Sequence, residues 1–263
     1  MSKEGDIFKK ELVRVGSRLV REILILLGKI ETDDRNIITT KINLELALRS
    51  EIIIRQKILE LGYEKSYLDF KFDVLSLLKG LRQENIKAGL SDELAADAVL
   101  QLQGLEKSTL ERDVRFLPDN VSREISQIIY DGVLGTLSVD DLLERIENKL
   151  QLRFDQAVTL SEQYVSAARN TITIGQAEGA GIKYYLYAGV DDSLTRPFCE
   201  KMINKIWTLK ELDALGDDPS RGKQPLPVSV HLGGFNCRHF LEPLDDNVVD
   251  KMIKSGEAKR GKI

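Results

Sequence analysis

Cysteine and histidine are scarce in this chain of 263 residues, which contains two of each. Two cysteines cannot form the disulfide framework of a secreted protein of this length, so we expect synthesis in a reducing cytoplasm. No apolar run approaches the roughly 20 residues that cross a bilayer, and the first residues, MSKEGDIFKK, lack the apolar core of a signal peptide. These absences predict a soluble intracellular protein with no membrane partner.

The chain also lacks a strong excess of charge of either sign. Its net charge is −4, and its hydrophobic and charged fractions of 42% and 30% are those of a globular protein. This composition excludes a protein that binds polyanions over its whole surface. Residues 246–263 are a local exception, because five basic side chains face one acidic side chain between Lys251 and Ile263. We expect a solvated basic tail there, with nucleic-acid contact as the alternative.

Proline is absent from the first 117 residues, and five of the six prolines lie at or after Pro197. Because proline breaks helix interiors, its absence permits long helices early in the chain. Apolar residues between Phe8 and Ile30 recur every three or four positions, which predicts an amphipathic helix. Similar patterns predict helices over residues 37–61, 67–81, 91–105, 119–134, 138–150 and 154–177, with Asp119 or Asn120 and Ser138 as capping residues of two of them.

The pattern changes after Gly181. Residues 183–188, KYYLYA, are aromatic and predict a strand. Asn204 favours a tight turn because asparagine tolerates a left-handed backbone, and the prolines of residues 225–230 favour extended chain. We therefore predict an α+β fold, with a mainly α-helical N-terminal region over residues 1–150 and a small α+β C-terminal module over residues 151–245.

Both cysteines and both histidines fall within the C-terminal module, at Cys199, His231, Cys237 and His239. Two thiols and two imidazoles are the donor set of a closed tetrahedral zinc site. The spacing of Cys237 and His239 places both side chains on one side of an extended backbone, and Gly233–Gly234 allows the chain to fold His231 back towards them. No zinc-finger spacing is present, so two other interpretations stay open: ordinary buried side chains, and a nucleophilic Cys–His pair.

Acidic and basic residues lie close to this group in the sequence. Asp192 can pair with Arg196 or with Arg238, and we expect such a pair to lock the module rather than to take part in catalysis. No phosphate-binding loop, paired-carboxylate motif or H-E-x-x-H motif is present. A structural role is therefore the stronger hypothesis for this region. An enzyme, such as a metal-dependent nuclease or a transferase, is the weaker alternative.

The order of motifs over residues 158–244 points to a known family. An arginine within a helix is followed by a glycine turn, an aromatic strand, an aspartate, R-P-x-C, a turn before a tryptophan, a proline loop and a closing N-C-R-H with a proline soon after. In this chain these features are Arg169, Gly179–Gly181, Tyr184–Tyr187, Asp192, Arg196–Cys199, Trp207, Pro225 and Pro227, Asn236–His239 and Pro243. This order resembles the phage Mu F-like head morphogenesis proteins, which are minor head proteins of tailed bacteriophages.

The resemblance implies a structural role in the virion. It implies a non-enzymatic minor head protein that acts at the portal vertex inside the procapsid, made in the host cytoplasm and retained within the head. The implied partners are the portal protein, bound through the helical N-terminal region, together with capsid or scaffold proteins and packaged DNA. The implied site residues are Asp192, Arg196, Pro197, Asn236 and Arg238 as a structural motif. Cys199, Cys237 and His239 match the family's motifs as candidate ligands of a structural zinc ion, whereas His231 is a candidate ligand by its residue type alone.

Overall fold

The computed structural model describes residues 3–87, 106–222, 226–234 and 237–261. These described residues are mostly helical in the N-terminal part and form a small sheet in the C-terminal part, which confirms the predicted α+β class. The α-helices are α1 (Lys3–Leu27), α2 (Lys41–Glu60), α3 (Tyr63–Lys87), α4 (Leu117–Leu134), α5 (Val139–Gly179), α6 (Pro197–Met202), α7 (Leu209–Asp213), α8 (Val228–His231) and α9 (Asp246–Ser255), and a π-helical segment covers Glu106–Arg115. The strands are β1 (Thr32–Asp33), β2 (Asn36–Ile37), β3 (Tyr184–Ala188), β4 (Lys205–Trp207), β5 (Phe240–Leu244) and β6 (Lys259–Arg260).

The chain divides into two compact units. The first unit comprises Met1–Asp73 and Thr109–Ser161, and the second comprises Val74–Ser108 and Glu162–Ile263. One of the divisions lies inside α5, which is a single helix. The two helices predicted over residues 138–150 and 154–177 are therefore wrong as separate elements, because the residues between them include neither glycine nor proline to interrupt the backbone ladder.

The first unit is built from amphipathic helices. The predicted apolar face of α1 is confirmed, since Phe8 and the residues that follow it at helical spacing are buried. The Phe8 ring stacks on Phe70 with 4.5 Å between ring centroids. Helix α2 begins after Thr40, whose hydroxyl accepts from the backbone of Asn43 at 3.2 Å.

Two predictions in the first unit fail at helix starts. The helix predicted from residue 37 begins only at Lys41, because residues 32–37 form the β1–β2 hairpin, with Asp34 and Arg35 in left-handed backbone angles at its tip. Helix α4 begins at Leu117 rather than after Asp119, because Pro118 is tolerated within the first helical turn. The predicted cap of α5 is confirmed, since the Ser138 hydroxyl accepts from the backbone N–H of Asp141 at 3.1 Å.

The second unit is centred on a four-stranded sheet of order β5-β3-β4-β6. Strand β3 confirms the strand predicted over residues 183–188. It is antiparallel to both β4 and β5, whereas β6 runs parallel to β4. Asn204 has a φ of 58°, which confirms the predicted left-handed turn before β4. Its N–H donates to the carbonyl of Tyr187 at 3.0 Å, so this turn is fixed to the central strand.

Both faces of this sheet are covered. One face carries the larger core, in which Tyr185, Tyr187 and Trp207 pack with α6 and with the end of α5. The opposite face packs Leu186 and its neighbours against α9. Over residues 246–261 the expected basic tail is thus an ordered helix and edge strand, because Val249 and its apolar neighbours anchor it to the sheet.

Three further predictions concern the proline-containing segment of residues 225–230, the helix over residues 91–105 and the absence of a membrane span. Residues 228–231 form the short helix α8 rather than extended chain, directly after Pro227. Pro225 and the helix predicted over residues 91–105 lie outside the described residues. Within the part of the chain that the structure describes, no helix combines the length and the apolarity that crossing a bilayer requires.

Candidate metal centre

Cys199 lies in helix α6, which Arg196 and Pro197 begin. Proline suits the first helical position, because its missing N–H would have no partner within the helix there. The guanidinium of Arg196 donates to the carbonyl of Gly233 at 2.9 Å, so the start of α6 is tied to the loop that follows α8. The thiol of Cys199 is buried in the larger core, with 1% of the residue exposed.

Cys237 and His239 lie in the segment that leads into β5, and the structure brings both side chains to Cys199. The two sulfur atoms are 3.8 Å apart, and the Cys237 sulfur is 3.4 Å from Nδ1 of His239. The three donor atoms all lie within 4.8 Å of one another. Among the described residues, no other group of three or more His, Cys, Asp or Glu side chains meets this distance condition.

The separations within this group fit a zinc ion. Zinc–sulfur bonds of about 2.3 Å and zinc–nitrogen bonds of about 2.0–2.1 Å in tetrahedral geometry require about 3.8 Å between sulfurs and about 3.6 Å between sulfur and nitrogen. The observed separations are 3.8 Å and 3.4 Å. Two thiolates and an imidazole also form a donor set that zinc prefers over magnesium or calcium.

The orientation of His239 is that of a metal ligand. Its Nε2 lies 3.0 Å from the carbonyl oxygen of Val190, and because a carbonyl only accepts, Nε2 carries the proton of the neutral ring. The lone pair is then on Nδ1, the atom that faces Cys237. A second nitrogen that donates to a backbone carbonyl is a regular feature of zinc-bound histidine. Gly189 allows this contact, since a Cβ there would lie 2.6 Å from the His239 ring.

The pKa values of the two thiols are shifted in opposite directions. The hydrogen bond from Cys199, and a further one from the backbone N–H of His239, hold the pKa of Cys237 below the ordinary thiol value in spite of burial. The same contact with Cys237, together with burial, raises the pKa of Cys199. The two thiols therefore lose their protons as a pair, because the hydrogen bond between the sulfurs favours a state with one thiolate.

Tyr187 completes the immediate surroundings of the two sulfurs. Its hydroxyl oxygen lies 3.4 Å from the Cys199 sulfur and 3.7 Å from the Cys237 sulfur. Burial, and then the neighbouring Cys237, raise the pKa of Tyr187 far above its ordinary value, so the side chain is a neutral phenol. Its ring also contacts the His239 ring, with 5.4 Å between centroids.

Gly233 has a role that the sequence did not indicate. A Cβ at this position would lie 2.3 Å from the Cys199 sulfur and 3.2 Å from the Cys237 sulfur. The sequence suggested that the pair Gly233–Gly234 serves only to turn the chain. Gly234, with a φ of 84°, does make a left-handed turn, whereas Gly233 lets the backbone approach the thiols.

The structure does not bring His231 into this group. His231 is the last residue of α8, and it is buried, but its ring is not among the donor atoms that lie within 4.8 Å of one another. Gly233–Gly234 was expected to fold His231 back towards Cys237, whereas His231 ends the helical turn of α8. Burial, and then the nearby charge of Arg221, lower the pKa of His231 to about 4.

Asp192 pairs with Arg238 and not with Arg196. The guanidinium of Arg238 donates to both carboxylate oxygens, at 2.8 Å and 2.5 Å. This ion pair, and then the N–H of Leu194, hold the pKa of Asp192 well below its ordinary value. The ion pair joins the loop after β3 to Arg238, the residue between Cys237 and His239. Asn236, another residue of the predicted structural motif, lies outside the described residues.

Arg221 is a second position that sequence reasoning missed. It is buried, and its guanidinium donates to the carbonyls of Leu232, Leu226 and Pro227 at 2.8, 2.9 and 3.2 Å. These bonds hold both ends of α8 and therefore support the backbone that leads to Gly233. An arginine gives no sequence signal for such a role, because most arginines lie on the surface.

Comparison with known proteins adds no family to this description. No protein-family model matches the chain, and neither a curated protein nor a solved structure is detectably similar to it. The function is therefore inferred from the order of the sequence motifs and from the contacts of the centre itself.

Proposed function

We propose that this chain is a minor head protein of a tailed bacteriophage, which acts in head morphogenesis at the portal vertex inside the procapsid. The observation that carries the proposal is the convergence of separate motif segments. R-P-x-C contributes Cys199, the closing N-C-R-H contributes Cys237 and His239, and the aspartate after the aromatic strand pairs with Arg238. In this proposal the protein is made in the host cytoplasm and remains inside the head.

We infer that Cys199, Cys237 and His239 bind one zinc ion through Sγ, Sγ and Nδ1. The ion would join α6 to the segment before β5, and the contact of His239 with Val190 extends the link to the loop after β3. Metal binding of this kind is coupled to folding, so zinc would stabilise the second unit. When bound, the ion supplies a cross-link between segments that lie almost 40 residues apart in the sequence.

A structural role for the ion is favoured over a catalytic one by burial. Cys199 and His239 are 1% and 8% exposed, and the backbone of Gly233 lies directly against the sulfurs. A catalytic zinc ion needs a coordination position that substrate can reach. The alternative, a metal-dependent nuclease or transferase, would require Cys237→Ala and His239→Ala to abolish an activity. The structural proposal expects these variants to lose zinc and thermal stability.

The helical N-terminal region is the proposed portal-binding part. Helix α2 carries two large apolar side chains one turn apart, Leu48 and Ile52, which are 69% and 71% exposed. Adjacent exposed apolar side chains are a common feature of interaction surfaces. Capsid or scaffold proteins and packaged DNA are further proposed partners, and the exposed lysines of residues 251–259 are the cations available for DNA.

The experiment is cosedimentation of the purified full chain with its cognate portal at concentrations where procapsids assemble. We expect comigration with the portal, and we expect Ile52→Glu to weaken it. Leu152→Glu is the matched control, since it changes a comparably exposed leucine elsewhere in the first unit. Failure of the wild-type chain to comigrate would contradict the proposed function, and equal loss in both variants would contradict the role of α2.

A further inference from the structure

The hydroxyl of Tyr187 is placed against both thiols by the central strand of the sheet. Tyr187 pairs with Leu241 of β5, and its backbone carbonyl accepts from Asn204 on the other side. The side chain is completely buried. Its hydroxyl therefore stays close to the sulfurs of Cys199 and Cys237, at 3.4 Å and 3.7 Å.

We propose that Tyr187 is a positioning residue of the metal centre, whose hydroxyl donates a hydrogen bond to the Cys199 thiolate when the metal is bound. This inference rests on the proposed zinc site. A metal-bound thiolate is an acceptor only, whereas a phenol has one proton to donate, so the contact has a single direction. The shorter of the two separations assigns the proton to Cys199.

The same distances also fit a different role for Tyr187. An oxygen ligand at the fourth corner of a zinc tetrahedron would lie about 3.5 Å from each sulfur, close to the observed separations. Zinc ligands in proteins are thiolate, imidazole and carboxylate, and phenolate is not among the usual set. A neutral donor also adds no third anion beside two buried thiolates. The donor role is therefore the one that the chemistry favours.

A hydrogen bond to a thiolate withdraws electron density from sulfur and fixes its direction towards the metal. Groups that support metal ligands in this way typically change metal affinity by about 10–100-fold when they are removed. We expect Tyr187→Phe to weaken metal binding by about 10-fold or more. Because the sulfur becomes a better electron donor, the thiolate-to-metal charge-transfer band should also shift to lower energy.

The test uses the full chain loaded with cobalt(II) in place of zinc, which makes the centre visible by absorption spectroscopy. Tyr185→Phe is the matched control, because Tyr185 lies two residues away on the same strand, is equally buried and is not among the sulfur contacts. We expect the charge-transfer band to move in Tyr187→Phe and to keep its wild-type energy in Tyr185→Phe. The ligand-field bands should keep their tetrahedral intensity in both variants.

Each outcome bears on a stated claim. An unchanged charge-transfer band and affinity in Tyr187→Phe would overturn the donor role, and changed ligand-field intensity would assign Tyr187 as a ligand instead. A wild-type chain that binds neither cobalt nor zinc would remove the proposed metal site itself.

If Tyr187→Phe does not fold, NMR of the wild-type chain loaded with a magnetic cadmium isotope tests the donor role instead. A slowly exchanging hydroxyl proton coupled to cadmium is expected, and its absence would refute the inference.

Discussion

Replacing Gly233 by alanine tests the close packing of the metal centre. The new Cβ would lie 2.3 Å from the Cys199 sulfur and 3.2 Å from the Cys237 sulfur. Gly233 is not among the residues with positive φ, so the effect of alanine is steric and not a backbone penalty. The Cys199 thiol can relieve the clash by rotating about χ1, but this rotation would remove it from the donor group.

The expected magnitude follows from this overlap. Overpacking a well-packed core typically costs about 1–3 kcal/mol, and we expect this loss in the free energy of unfolding of the metal-free chain. With zinc present the difference should grow, because the variant also loses metal affinity and hence the stabilisation that bound metal supplies. Urea unfolding followed by the fluorescence of Trp207, the single tryptophan, reports directly on this core.

Gly175→Ala is the matched control in the same unit. Gly175 lies within α5, and a Cβ there would meet nothing within 4 Å. Alanine is the better helix former by up to about 1 kcal/mol, so this variant should be as stable as the wild type or slightly more stable. A Gly233→Ala variant that unfolds at the wild-type urea concentration and binds zinc with wild-type affinity would contradict the close packing of Gly233 against the thiols.

Three further predictions concern other residues of the second unit. His231→Gln should retain one zinc ion per chain and His239→Gln should lose it, as elemental analysis would measure; loss in both would restore His231 as a ligand. Arg221→Met should lower the free energy of unfolding in urea by about 1–3 kcal/mol, because buried carbonyls lose their donor; an unchanged midpoint would contradict this. Asp192→Asn should lower the melting temperature at neutral pH. Because the folded-state pKa of Asp192 is depressed by Arg238, its stabilisation is present above the unfolded-state pKa and is lost as pH falls through the folded-state pKa, so the two melting temperatures should converge in strong acid.

The sequence predicted those parts of the fold in which local pattern and tertiary packing agree. The apolar stripe from Phe8 and the aromatic run of β3 each face a core, so their periodicity is visible in the sequence. The β1–β2 hairpin was missed because Asp34 and Arg35 hold the left-handed positions of its tip without glycine. The continuous helix α5 was divided because apolar spacing alone does not show where a helix continues.

Both cysteines and both histidines were predicted as candidate ligands, but the spacing itself predicts a contact only for Cys237 and His239. Cys237 and His239 are two residues apart, so an extended backbone was enough to place them together. The contribution of Cys199 depends on the sheet that brings α6 to this loop, and the exclusion of His231 depends on the turn of α8. The role of Gly233 is a close approach between distant segments, for which a glycine in the sequence gives no specific sign.

The metal centre is tested by the metal content of the full chain purified without chelator, combined with X-ray absorption at the zinc edge. We predict close to one zinc ion per chain, with two sulfur ligands at about 2.3 Å and a histidine nitrogen at about 2.0–2.1 Å. Cys237→Ser, prepared in parallel, should lose the sulfur signal of that ligand and most of the metal. A wild-type chain without zinc, or zinc bound without sulfur, would contradict the central claim that Cys199, Cys237 and His239 form a structural metal centre.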